Sequence, residues 1–216
     1  MKAFIGIAAA ALLASGSASA AITVTSTPGT DPYSGPAPTY DFETPAPITG
    51  GAVRSADASG IAARPLGSTG NFWTVGPSDG SPGFLDLSTF ASISQVSFIW
   101  GSIDSYNVLD VVGRLGETLA TFSGSSVYNP ADGNQTSADT NRLVFLNFGA
   151  EEAGNIGGLR LSASQNAFET DNFAIAGAVP EPATWALFIL GFGAIGASMR
   201  RRSAAVSVAK SSLSFS

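Results

Sequence analysis

Across residues 39–178 short runs of β-branched and aromatic residues recur between turn signals, and a helical period of 3.6 is hard to find. The runs cover 40–43, 71–75, 83–87, 93–100, 106–112, 118–122, 142–148, 158–162 and 168–176. Between them lie Gly50-Gly51, Gly80-Ser81-Pro82-Gly83, Asp132-Gly133-Asn134 and Gly157-Gly158, which favour reversals of the chain. In 93–100, Val96, Phe98 and Trp100 alternate with Gln95, Ser97 and Ile99. Alternation with period two places one set of side chains on a core and the other away from it. The spacing predicts an all-β domain over 39–178, an antiparallel β-sandwich, with a barrel as the alternative. No repeat of fixed period is visible, which argues against a solenoid or propeller.

The ends of the chain read differently. Met1-Lys2 precedes a small and apolar run to Ala14, and Ser17-Ala18-Ser19-Ala20 then leads to Ala21. A basic start, an apolar stretch and an Ala-x-Ala site at Ala18 and Ala20 predict a signal peptide over 1–20, cleaved before Ala21. Residues 21–38 are rich in Thr, Ser, Pro and Gly and read as a flexible lead-in. Near the other end, 185–199 is apolar apart from Ser198 and meets Arg200-Arg201-Arg202. As a helix over about 184–199 it would span roughly 22 to 24 Å at about 1.5 Å per residue, short against a hydrocarbon core of about 30 Å. Trp185 at one interface and the arginines at the other relieve part of that mismatch. The arginines, and the Ser- and Ala-rich tail 203–216 after them, are expected on the cytoplasmic side of an inner membrane.

Charge and two missing residue types exclude much. Residues 21–179 hold five arginines, no lysine and fifteen acids, a net charge of −10. Such a surface repels phosphate backbones, so no nucleic-acid partner is expected. Cysteine and histidine are both absent, which removes disulfides, thiolate and imidazole catalysis and nearly all transition-metal sites.

Val179-Pro180-Glu181-Pro182-Ala183-Thr184-Trp185-Ala186-Leu187, the Gly-spotted apolar stretch and Arg200-Arg201-Arg202 together resemble the PEP-CTERM sorting signal in its PEPxxWA form. The resemblance covers 179–202 and rests on Pro180, Glu181, Pro182, Trp185, Ala186, Arg200, Arg201 and Arg202. It implies export by the secretion machinery, removal of the leader by signal peptidase, and cleavage of the tail by an exosortase-type membrane peptidase. The extension to Ser216 departs from the family, whose members usually stop soon after their arginines. Pro180 and Pro182 also favour an extended backbone ahead of the helix, the form in which a peptidase binds its substrate. More loosely, Gly101 to Asn107 and Asp171 to Ile175 resemble domains carried by such proteins, which are often similar to carbohydrate-binding jelly rolls. A jelly-roll-like sandwich is what this second resemblance implies.

Two clusters are candidate sites. Asp41 and Glu43 in the first run and Asp171 in the last supply carboxylates for a structural calcium, if those strands pair; a solvated polar strand face is the competing reading. Trp100, Asp104, Tyr106 and Asn107 combine aromatic faces with carboxylate and amide groups, as carbohydrate sites do; core packing is the competing reading there. The expected function is a non-catalytic surface or matrix protein contacting exopolysaccharide. The alternatives are a polysaccharide-active enzyme using two carboxylates, with pairs such as Glu151-Glu152 or Asp104 and Asp110 available, and a permanently membrane-anchored surface protein.

Overall fold

A computed structural model describes residues 22–177 together with Phe192. The chain divides into two units, Met1–Gly177 and Ala178–Ser216, and every described strand lies in the first. The expected signal peptide with Ala18, Ala20 and Ala21, the sorting residues 179–202 apart from Phe192, and the tail 203–216 lie outside the described residues. Among the described residues no helix is long and apolar enough to cross a membrane.

Within residues 22–177 the strands are β1 (Thr23–Pro28), β2 (Ile48–Thr49), β3 (Ala52–Arg54), β4 (Phe72–Val75), β5 (Gly83–Asp86), β6 (Gln95–Gly101), β7 (Asn107–Gly113), β8 (Thr118–Ser123), β9 (Arg142–Asn147), β10 (Ile156–Ala163) and β11 (Phe168–Ala176), with one short helix, α1 (Gly124–Val127). They form a six-stranded sheet in the order β1-β9-β6-β11-β4-β3 and a five-stranded sheet in the order β2-β5-β10-β7-β8. Every pairing in both sheets is antiparallel. The domain is therefore all-β.

One core lies between the sheets. Trp73, Val96, Phe98, Trp100, Val144, Leu146, Phe168 and Phe173 come to it from the six-stranded sheet, and Leu85, Leu109, Val111, Ile156, Leu159 and Leu161 from the other. Trp100 stacks on Phe168 with ring centroids 4.1 Å apart, and Phe98 on Phe173 at 4.7 Å. The period-two reading of Val96, Phe98 and Trp100 thus gives the inward face of β6.

Outside the six-stranded sheet runs a strap, residues 55–71, joining β3 to β4. Pro65 lies so close to Gly101 that a Cβ there would sit 2.8 Å from the proline ring, so only glycine admits the strap at that point. The Leu66 N–H donates to Asn141 Oδ1 at 3.0 Å. Covered in this way, Ile99 of β6, on the face opposite Phe98, is only 2 % exposed.

Two expectations need correction. Residues 21–38 are not a flexible lead-in throughout, because β1 pairs with β9 from Thr23 opposite Asn147 to Pro28 opposite Arg142. The segment has few apolar side chains, but an edge strand is stabilised by backbone pairing, and Arg142 adds a hydrogen bond to Ser26 Oγ at 2.7 Å. Residues 40–43 are not a strand. Tyr40 alone bridges to Phe173, while Phe42 takes φ 60° and turns its ring into the core against Trp73 and Phe173. Facing Tyr40, β11 carries an irregularity between Asp171 and Ala174, with Asn172 at φ 55°. A bulge of this kind re-aims side chains along the strand.

Candidate functional site

At one end of the sheets the β6–β7, β8–β9 and β10–β11 connections meet the strap around a polar, partly open cavity of about 170 Å³. Its chemistry comes from Ser102, Asp104, Tyr106, Gln135 and Glu169, with Gly60, Ile61 and Ala62 of the strap forming one wall. Glu169 reaches it from β11. Phe168 points into the core, so its neighbour Glu169 points to the opposite face of the sheet, beneath the strap.

Glu169 is 1 % exposed, and both its oxygens are held: Ala63 N–H donates to Oε1 at 3.0 Å and the Ser102 hydroxyl to Oε2 at 2.8 Å. Burial pushes its carboxyl up to about 7 against those two hydrogen bonds, and the charge of Asp104 pushes the same way. Asp104 is half-buried and likewise raised by desolvation, with the Tyr106 hydroxyl opposing and Asp132 adding to the rise. The Tyr106 hydroxyl donates to the Asn166 carbonyl at 2.7 Å, and burial raises its own pKa. The cavity thus presents two carboxyls of reduced acidity, a phenol, a hydroxyl and the amides of Gln135 and Asn166, and among the described residues no cation.

Of the four carbohydrate candidates, the structure brings Asp104 and Tyr106 to the cavity and leaves Trp100 and Asn107 behind it. Trp100 is fully buried on Phe168 and offers no face to a ligand. Asn107, also fully buried, braces the wall: its Oδ1 accepts from Asp104 N–H at 2.9 Å, and its Nδ2 donates to the Ala167 carbonyl at 3.1 Å. Glu169 was missed as a site residue. The signal was present in the Glu169-Thr170-Asp171 alternation, but nothing local in sequence says that a strap buries that face.

The three calcium candidates do not form a ligand set. Asp41 Oδ1 accepts the Glu43 N–H at 3.1 Å, the Glu43 carboxylate turns to Asn71, and Asp171 lies beneath the strap, where the Ser68 hydroxyl donates to its Oδ2 at 2.5 Å. Among the described residues no group of three or more acidic side chains is placed to hold a metal ion. The positive φ at Phe42 is the cause, because it breaks the strand that would have aligned Asp41 and Glu43. Asp41 and Glu43 instead border an open hollow of about 450 Å³ with Pro32, Tyr33 and Asn172. Asp171 is pushed up to about 7, chiefly by burial and further by the charges of Asp41 and Glu43.

The suggested enzyme pairs are not brought together as one site. Asp110 faces away from the core on the five-stranded sheet, 3.5 Å from Arg160, and neither Asp110 nor Glu151 nor Glu152 lines the cavity around Asp104.

Residues 178–202 match the family described as the PEP-CTERM protein-sorting motif. The motif marks an exported protein sorted at a membrane, with an exosortase as its processing partner. No curated protein and no solved structure matches the chain.

Proposed function

We propose that this chain, with its PEP-CTERM sorting motif, is a non-catalytic surface or extracellular-matrix protein whose jelly-roll-like domain contacts exopolysaccharide. Export begins with a signal peptide over 1–20 and cleavage before Ala21. The tail rests in the inner membrane as a helix over about 184–199 until exosortase releases the domain. The binding role is carried by one observation: the polar cavity in which Asp104, Tyr106, Ser102 and Glu169 converge at a loop-built end of the domain. Its volume lies below the roughly 300 Å³ from which pockets enclose drug-sized ligands, so it suits one sugar unit of a longer chain. Ring hydroxyls find acceptors and donors there, and the strap supplies a rigid wall.

Two measurements test the proposal. Mass spectrometry of the mature protein is expected to show a chain ending near Pro180; an intact Ser216 points to a permanent anchor instead. Binding to extracellular polysaccharide is expected, with loss on Asp104→Ala and Tyr106→Phe and no release of reducing ends.

One observation favours a second reading, polysaccharide cleavage by two carboxylates. Glu169, pushed up to about 7, shares the cavity with Asp104, and a carboxyl that keeps its proton near neutral pH can act as a general acid. Reducing ends that appear with the native chain and disappear with Glu169→Gln would establish it.

A further inference from the structure

We propose that the cavity around Asp104 and Glu169 selects an amino sugar, a ring bearing a free protonated amine, over N-acylated and uronate rings. The inference rests on the glycan contact proposed above and names its chemistry.

The groups that give the cavity its polarity are Ser102, Asp104, Tyr106, Gln135, Asn166 and Glu169, and among the described residues no lysine or arginine lines it. A uronate or sulfated ring would bring an anion to two carboxyls with no base to receive it. A neutral ring would bring no counter-charge to Asp104 and would leave the almost wholly buried Glu169 as a protonated acid. A ring-borne ammonium brings one positive charge, which pairs with one carboxylate and makes ionisation of the second less costly.

Each arginine of the domain is engaged elsewhere. Arg54 pairs with Asp79 and Arg160 with Asp110. Arg64 donates to the Gly70 and Ser55 carbonyls, and Arg114 to those of Gly154, Ser88 and Phe90. Arg142 holds Ser26 and lies over the Tyr128 ring at 4.7 Å. None can swing to the cavity without leaving these partners, so the charge has to come with the ligand.

Ala63 N–H and the Ser102 hydroxyl fix the Glu169 carboxyl without neutralising it, while Asn107 fixes the Asp104 backbone. The held Glu169 carboxyl and the Asp104 carboxyl on its braced backbone suit a compact ammonium; the Gln135 side chain serves ring hydroxyls, and the Tyr106 and Ser102 oxygens, whose hydrogens go to the Asn166 carbonyl and Glu169, serve as acceptors. Since burial raises the Glu169 carboxyl to about 7, the empty cavity holds a proton at pH 6 that an arriving ammonium displaces. Binding and proton release are thus coupled.

Calorimetry on the full chain at pH 6 tests the proposal, with oligomers of glucosamine, of N-acetylglucosamine and of glucuronate, and a simple diamine as probes. Glucosamine oligomers are expected to bind about tenfold or more tighter than the other three, with a heat that varies with the ionisation enthalpy of the buffer as a proton is released. Glu169→Gln is expected to abolish proton release and weaken binding about tenfold or more, the scale of losing one partner of a buried charge pair. Gln135→Lys changes an exposed side chain at the lining, which keeps the test valid should Glu169→Gln fail to fold. It is expected to weaken glucosamine oligomers about fivefold or more, the upper end for a partly solvated charge. Equal or tighter binding of the N-acetylated or glucuronate oligomer overturns the amino-sugar assignment while leaving the glycan contact standing. Equal binding of the diamine overturns the sugar assignment and reduces the site to one for any ammonium; glucosamine binding indifferent to both substitutions places the contact outside this cavity and overturns the proposal. If no oligomer binds, the glycan contact fails, and this inference with it.

Discussion

On the five-stranded sheet the side chains that point away from the core stay within reach of water: Asp110 of β7 accepts from Thr121 Oγ1 of β8 at 2.6 Å and faces Arg160 of β10. On the six-stranded sheet Glu169 and Asp171 of β11 occupy outward positions too, yet they are 1 % and 0 % exposed. Outward positions on both sheets mix polar and apolar residues, Ile99 of β6 and Val108 of β7 among them, so residue type along the strands does not by itself make the difference. The strap 55–71 does. It lies across β11, drawn down by Glu169 through Ala63 N–H and by Asp171 through the Ser68 hydroxyl. An ordinary outward acid becomes a desolvated group with altered acidity only when a loop closes over it, and the cavity lies beside the Gly60, Ile61 and Ala62 stretch of that loop.

The largest effect that could break this contrast is a dependence of stability on pH arising from one sheet face. Glu169 and Asp171 are each pushed up to about 7, so between about pH 4 and 7 the folded chain keeps protons that the unfolded chain has released. Their contribution is fully present below about pH 4 and is lost as the pH rises through about 7. The groups facing them are acidic or phenolic, Asp104 and Tyr106 for Glu169, and Asp41, Glu43 and Tyr33 for Asp171, so no nearby base reverses the sign. Urea unfolding at pH 4.5, 6 and 8 is expected to show the native chain losing a few kcal/mol relative to the double variant Glu169→Gln, Asp171→Asn over that range, the scale of shifts of this direction in buried groups. Parallel stability curves would falsify the claim that the strap desolvates these acids.

The strands with inward aromatic or branched residues were legible in sequence because burial on one face leaves a period of two. The run 168–176 coincides with β11, and 118–122 and 142–148 differ from β8 and β9 by a residue at one end. Three strands were not legible. β1 reads Thr-Val-Thr-Ser-Thr-Pro, with a single large apolar side chain, and is held by its ladder to β9 instead of by burial. β2 and β3 have two and three residues, too few to express any period. The error at residues 40–43 has the opposite cause. Acids alternate with aromatics there as in a strand, but Phe42 is buried by a left-handed turn of its own backbone. At the site, Asp104 and Tyr106 were legible from residue type and position beside a turn. Glu169 was not, since its burial depends on Ala63, 106 residues away in sequence.

A smaller effect sharpens the comparison at a single hydroxyl. Ser68→Ala removes the donor to Asp171 Oδ2 in a buried place, whereas Thr121→Ala removes a donor to Asp110 where water can replace it. Leaving a buried polar atom unsatisfied costs about 1 to 3 kcal/mol. Ser68→Ala is therefore expected to lower stability by that amount and to speed hydrogen exchange or proteolysis within 55–71, while Thr121→Ala changes stability by less than about 1 kcal/mol. Equal losses at the two sites would mean that the faces are solvated alike.

The smallest effect is expected at the ion pair of the open face. Arg160 and Asp110 approach to 3.5 Å, with side chains 34 % and 18 % exposed, so water competes with each charge and salt screens their attraction. Pairs in this setting contribute about 0 to 1 kcal/mol. A double-mutant cycle of Asp110→Asn and Arg160→Met should return a coupling in that range, shrinking further in 0.5 M salt. The outward face of the five-stranded sheet would then be a surface that tolerates change, because no loop converts its charges into buried ones. A coupling above about 2 kcal/mol, insensitive to salt, would place that pair in a desolvated setting like that of Glu169 and remove the distinction between the two faces.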